Sequence, residues 1–172
     1  MAEIDNRIAT AWRKFGVFKG ELTSKKFSLK SRLRLFESTV SATVLYGCCA
    51  WPMTASLEQK LRTCQRRMLR MVVGQGRRID VPGTGEMEPW VEWIKRTTAI
   101  ADNVLCNLQM DSWVTACRRA KWRWAAKLAS MQDTRWARLA AEWAPELHLQ
   151  SRRCAGRPKT RWEDALNSFF VK

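Results

Sequence analysis

The chain has 172 residues, nearly half of them hydrophobic, and sets 31 Lys and Arg against 16 Asp and Glu for a net charge of +15. That length buries one sizeable core or two small lobes but cannot hold a whole polymerase, and a compact body so charged repels itself unless a polyanion neutralises it. No apolar run approaches the roughly 20 residues that span a bilayer, and the opening residues lack the basic-then-apolar layout of a secretory signal. The sequence therefore predicts an intracellular protein, nuclear or cytoplasmic, whose partner is a nucleic acid, RNA or DNA, rather than a membrane or a small molecule.

Apolar residues recur at spacings of three and four through most of the chain and strand alternation is absent, which predicts an all-α helical bundle of about seven helices. The first helix carries Ile4, Ile8, Ala11, Phe15, Phe18 and Leu22 on one stripe, weakened near its end by Gly16 and Gly20 before a loop at Thr23 and Ser24. A second, capped by Ser28, carries Leu29, Leu33, Phe36, Val40 and Val44 and cannot run simply through Pro52. The third opens on Ser56 to Gln59, a capping-box pattern, and closes at Gly74. Leu57, Leu61, Cys64, Met68 and Met71 share its apolar face, with Arg62, Arg66 and Arg70 opposite and Lys60 and Arg67 on the flanks.

Residues 75–88 hold Gly76, Pro82, Gly83 and Gly85 and read as a mobile linker, dividing the chain into a lobe over 1–74 and a Trp-rich basic lobe over 89–172. Pro89 opens a fourth helix with stripes through Trp90, Ile94, Ala101 and Leu105 and through Trp93, Ile100 and Val104. A fifth, from Asp111 or Ser112, turns Trp113, Cys117, Ala120, Trp124 and Leu128 inward and Trp122 outward. A sixth, capped by Asp133, carries Trp136, Leu139 and Trp143; after a basic stretch over 150–159, a seventh starts at Thr160.

Three basic clusters are candidate nucleic-acid contacts. Arg62, Arg66, Arg67, Arg70, Arg77 and Arg78 form a helix face plus the following loop that can track a phosphate backbone; with no acidic residue from Lys60 to Ile79, these cations are read as lacking carboxylates one turn away. The competing reading is a solvated helix face. Arg118, Arg119, Lys121, Trp122 and Arg123 set an outward indole among cations, suited to stacking on an unpaired base; the competing reading packs Trp122 against protein or under Arg118. Arg152, Arg153, Arg157, Lys159 and Arg161 surround Gly156-Arg157-Pro158, which resembles a minor-groove AT-hook and reads more simply as a basic linker. The remaining tryptophans fall mostly on inner faces. The six cysteines include no Cys-x-x-Cys pair and His148 is the single histidine, so neither a zinc site nor a His148–Cys154 dyad is expected. Cys64 and Cys117 read as buried thiols.

Four segments carry a resemblance to a known family. Glu3-Ile4-Asp5-Asn6-Arg7-Ile8 with Ala11 and Phe15, then Lys30-Ser31-Arg32-Leu33 leading to Leu45-Tyr46-Gly47-Cys48-Cys49-Ala50-Trp51, then Lys60-Leu61 with Gln65-Arg66-Arg67-Met68-Leu69-Arg70, and finally Gly156-Arg157-Pro158-Lys159-Thr160-Arg161-Trp162-Glu163-Asp164 resemble, in order and type, the thumb and C-terminal region of LINE-type (non-LTR) reverse transcriptases. Cys49 stands where that family usually has an acidic residue. The resemblance implies a template- and primer-gripping part of an RNA-directed DNA polymerase, with the metal-dependent chemistry done by a fingers-palm domain upstream. Phosphoryl transfer needs clustered carboxylates to hold Mg²⁺, and this sequence has no Asp-Asp pair. The chain alone is therefore expected to be catalytically inactive and to need no cofactor, Mg²⁺ belonging to that missing domain, with a polymerase core as a further partner. The rival expectation is a Trp-rich helical protein-interaction module or an independent basic DNA- or RNA-binding protein.

Overall fold

In a computed structural model of the protein, residues 2–79, 85, 87–132, 134–142, 162 and 166 are described. They are all-α: α1 Ala2–Val17, α2 Lys19–Thr23, α3 Leu29–Phe36, α4 Ala42–Leu45, α5 Ala55–Val73, α6 Trp90–Asn107, α7 Trp113–Ala129 and α8 Trp136–Glu142, with a π-helical turn at Glu37–Ser41 and a 3₁₀ turn at Cys48–Ala50. Among the described residues the only β pairing is an isolated antiparallel bridge between Ile79 and Met87. No helix among them is long and apolar enough to cross a membrane. Of the seventh helix, expected from Thr160, only Trp162, in a turn, and Leu166, helical, are described; Asp133 and Trp143 lie outside the described residues.

Contacts divide the chain into two compact units, Met1–Tyr46 with Ala55–Ala116, and Gly47–Thr54 with Cys117–Lys172. This differs from lobes divided at 75–88, because α6 packs on α5 and belongs to the first unit.

In the first unit the expected α1 stripe is the buried one: Ile4, Ala11, Phe15 and Leu22 are buried, with the helix interrupted at Phe18. Ser28 caps α3 by accepting from the Ser31 N–H at 3.1 Å. Leu33, Phe36, Val40 and Val44 are all buried, but the helix widens into a π turn over 37–41, which no sequence pattern announced. That turn buries Ser41 beside Val40. Its hydroxyl meets the indole N–H of Trp113 at 2.8 Å, and Trp113 stacks on Phe36 with rings 5° from parallel and centroids 6.0 Å apart. Phe36 meets Phe15 edge-on at 6.4 Å, and Phe15 meets Trp12 at 5.7 Å. This aromatic column is the centre of the unit, each contact adding about 0.5–1.5 kcal/mol to simple burial.

α5 runs through the unit. It starts at Ala55, so Ser56 lies inside its first turn rather than at the cap, and it stops as expected at Gly74, which takes φ +65° while its N–H bonds the Arg70 carbonyl at 2.9 Å. Leu57, Leu61, Cys64 and Met68 are buried as expected, and so are Gln65, Leu69, Val72 and Val73, while Met71 lies half-buried at the edge. More than half of the circumference is therefore covered. Arg32 is buried without a carboxylate: its guanidinium donates to the carbonyls of Leu22 and Val72, at the ends of α2 and α5, where unsatisfied helix carbonyls favour a cation.

The second unit is built on most of α7 and the 3₁₀ turn that follows Gly47, which takes φ +70°. Cys48, Trp51, Cys117 and Leu128 are buried. A hydrogen bond with Cys117 holds the Cys48 thiol below its usual pKa. Ser112 caps α7 by accepting from the Thr115 N–H at 3.1 Å, matching one of the two expected starts.

The inward tryptophans are fewer than expected. Of the nine described, only Trp51 and Trp113 are buried, and Trp90 and Trp136 are exposed. Trp90, Trp113 and Trp136 are each the first residue of a helix, and Trp113 alone of the three is buried because Phe36 and Ser41 meet its indole.

Candidate nucleic-acid interface

The charged side of α5 is not the free ladder of cations that its sequence suggests. Arg62 pairs with Glu58, one turn earlier, at 3.3 Å, which corrects the expectation that these cations lack acidic partners. Arg66 is gripped by Asp102 of α6 through two hydrogen bonds, 3.2 and 2.7 Å. Arg70 donates to Thr98 at 3.0 Å, so two side chains one turn apart on α5 meet two one turn apart on α6. Burial, and then the charges of Arg67 and Arg66, lower the Arg70 pKa from its usual value. Lys60 bonds Asp5 at 2.8 Å. Arg67 is exposed, its guanidinium 5.4 Å from the centre of the Trp12 ring.

Where α5 ends and α6 begins, a cleft of about 520 Å³ opens among Arg67, Arg70, Gln75, Trp90, Trp93 and Ile94. The two indoles lie 4.7 Å apart, tilted by 43°. Trp93 is fixed by donating its ring N–H to the Gln75 carbonyl at 2.9 Å, whereas Trp90 is 60% exposed. None of the described residues that line the cleft is a carboxylate. Arg67 also borders a second cleft of about 510 Å³, with Asp5, Ile8, Trp12 and Lys60 among its walls. Beside Trp12, burial pushes the Cys64 thiol up to about 11, consistent with a core thiol.

Residues 75–88 are tied down at their described ends. Arg77 donates to the Glu88 carbonyl; the N–H of Glu88 bonds the Arg78 carbonyl at 2.8 Å; the N–H of Arg78 bonds the Glu88 carboxylate at 3.2 Å. Arg96 grips the same carboxylate at 2.8 and 2.6 Å and reaches the Gly76 carbonyl at 2.9 Å. These bonds, Arg96 foremost, hold the Glu88 carboxyl at about 2. A linker free at both ends is therefore not what the structure contains, because Glu88 and Arg96 clasp its two ends together. Arg77 is engaged in that clasp, and the Arg78 side chain is exposed.

In the second unit, Lys121 is buried: it donates to the Trp162 carbonyl at 2.9 Å and lies over that indole at 5.1 Å. Trp162 in turn donates its ring N–H to the Cys49 carbonyl at 2.6 Å. Arg118, Arg119 and Arg123 are exposed and Trp122 is half-buried. Arg152, Arg153, Arg157, Lys159 and Arg161 lie outside the described residues, as do His148 and Cys154. Among the described residues no three His, Cys, Asp or Glu side chains come together to hold a metal ion.

The structure thus brings Arg67 and Arg70 together with two tryptophans that the helical pattern placed on inner stripes. The missed residue is Trp90. Its position just after Pro89, at the mouth of the Gly/Pro stretch, was the available sign. Compared with known proteins, the chain is 28% identical over 169 residues to an uncharacterized transposon-derived protein of Caenorhabditis elegans, an overlap covering 96% of this chain and 53% of that one. It is similar to a transposon-derived protein. The chain spans about half the length of that relative. No family model matches the chain, and no solved structure matches it.

Proposed function

We propose that the chain is a nucleic-acid-binding segment of retrotransposon origin, the template- and primer-gripping part of a LINE-type RNA-directed DNA polymerase, acting inside the cell beside a polymerase core that supplies the chemistry. The observation that carries this reading is the cleft at the end of α5, where Arg67 and Arg70 stand three residues apart beside exposed indole surface with no carboxylate lining it. Like charges one turn apart repel, and a phosphate between them removes the repulsion. The similarity to a transposon-derived protein supports the origin, and the motifs that resemble the thumb and C-terminal region of LINE reverse transcriptases support the role. Contacts of this kind grip the strand without reading its sequence.

The test is a titration of the chain with RNA, DNA and RNA–DNA hybrid oligonucleotides across a salt series. Affinity should fall steeply, log K dropping by about 0.7–0.9 per phosphate neutralised for each decade of salt. A chain that stays folded yet ignores all three in dilute buffer, or binds with no salt dependence, overturns the reading in favour of a protein-docking module.

A further inference from the structure

We infer that the α5–α6 cleft accepts an unpaired nucleotide, its base stacked on Trp90 and its phosphate held between Arg67 and Arg70, so that the segment prefers single-stranded nucleic acid to a duplex. This deepens the proposed function and rests on it. Three observations converge. Trp90 is 60% exposed although it is among the largest apolar side chains in the chain, and an indole so placed offers a flat face that any base can cover. Its neighbour Trp93 is pinned by the Gln75 carbonyl, so one wall of the tilted pair is fixed and backs the exposed Trp90 ring. The cleft volume of about 520 Å³ lies within the roughly 300–1,000 Å³ usual for a pocket that takes a small ligand.

Charge selects the occupant. With no carboxylate among the described residues that line the cleft, and Arg70 destabilised as a cation by burial and its Arg neighbours, the site attracts an anion and disfavours a cation. Arg67 is exposed, with its guanidinium 5.4 Å from the centre of the Trp12 ring, and an exposed planar guanidinium is suited to bidentate phosphate contact. A base within an intact duplex is stacked on both faces and cannot reach Trp90, which gives the preference for unpaired strand.

The test uses the whole chain and two labelled probes, a single-stranded 12-mer and a blunt duplex of the same sequence, with fluorescence anisotropy as readout. Trp90→Ala should weaken single-strand binding by about 5- to 100-fold, as expected for one lost stack, while duplex affinity changes less than twofold and Trp90→Phe restores most of the loss. Because Trp90 is exposed, the variant keeps the core, which a thermal melt checks. Equal loss on both probes, or no loss on either, overturns the stacking site while leaving the proposed function standing; failure of the parent chain to bind either probe overturns both.

Discussion

Arg66 and Asp102 meet through two hydrogen bonds, 3.2 and 2.7 Å, between a helix with no acidic residue of its own beyond Lys60 and a neighbour that brings the matching carboxylate. Arg66 is thereby a helix-packing residue, which leaves Arg67 and Arg70 as the proposed phosphate contacts on α5. Both partners are about two-fifths exposed, so the pair contributes little to stability, about 1 kcal/mol at most. Replacing Asp102 by Asn should cost the fold almost nothing, release Arg66, and steepen the salt dependence of nucleic-acid binding by about 0.7–0.9. Slopes of log K against log salt for the two proteins settle it; an unchanged slope would mean that Arg66 stays out of reach.

The reverse experiment separates the arginines of α5. Arg67→Ala with Arg70→Ala should flatten the slope by about 1.4–1.8, two phosphate contacts' worth, whereas Arg62→Ala should leave it nearly unchanged because Glu58 already occupies that side chain. Equal effects from all three positions would return the phosphate track to the whole helix face.

Glu88 predicts a pH signature. Its carboxyl is held near 2 in the folded chain, mainly by Arg96, against an ordinary 4.5. A depressed folded value means that the unfolded chain binds the proton more readily. The stabilisation is therefore complete above about 4.5 and fades as pH falls toward 2. Urea midpoints should drop over that window more steeply in the parent than in Glu88→Gln, and parallel curves would show that the clasp is electrostatically idle.

Trp113 should be the costliest aromatic to lose. It is 1% exposed, stacks on Phe36 and donates to Ser41. Truncation to Ala should cost about 3–5 kcal/mol, and Trp113→Phe should lose the hydrogen bond to Ser41, about 1 kcal/mol, plus part of the packing. Chemical denaturation followed by circular dichroism gives both values; a Trp113→Ala chain as stable as its parent would remove the aromatic column from the centre of the unit.

Several residues that carry the family resemblance turn out to fasten elements together. Glu3 bonds Arg7 at 2.7 Å and Arg7 lies 4.7 Å from the centre of the Tyr46 ring; Asp5 holds Lys60; Trp162 bonds the Cys49 carbonyl. Such motifs are legible because each needs a particular donor, acceptor or ring. These residues report the fold, whereas Arg67 and Arg70, from the same motifs, carry the proposed phosphate contacts.

The sequence by itself determined the all-α class, most of the helix boundaries, the caps at Ser28 and Ser112, the stop at Gly74 and the buried stripes of α1, α3, α4 and α5. All of these follow from local rules, a 3.6-residue period and the hydrogen-bonding needs of helix ends. Only the tertiary structure decided which cations stay free, because pairing depends on which helix arrives opposite. Asp102 lies 36 residues from Arg66, and the Trp162 carbonyl lies 41 residues from Lys121. The π turn at 37–41 and the clasp of Glu88 by Arg96 belong to the same category. The π turn seats Ser41 against Trp113, 72 residues away, and the clasp needs the chain to double back so that Arg96 reaches both Glu88 and Gly76, neither of which a local helical period dictates.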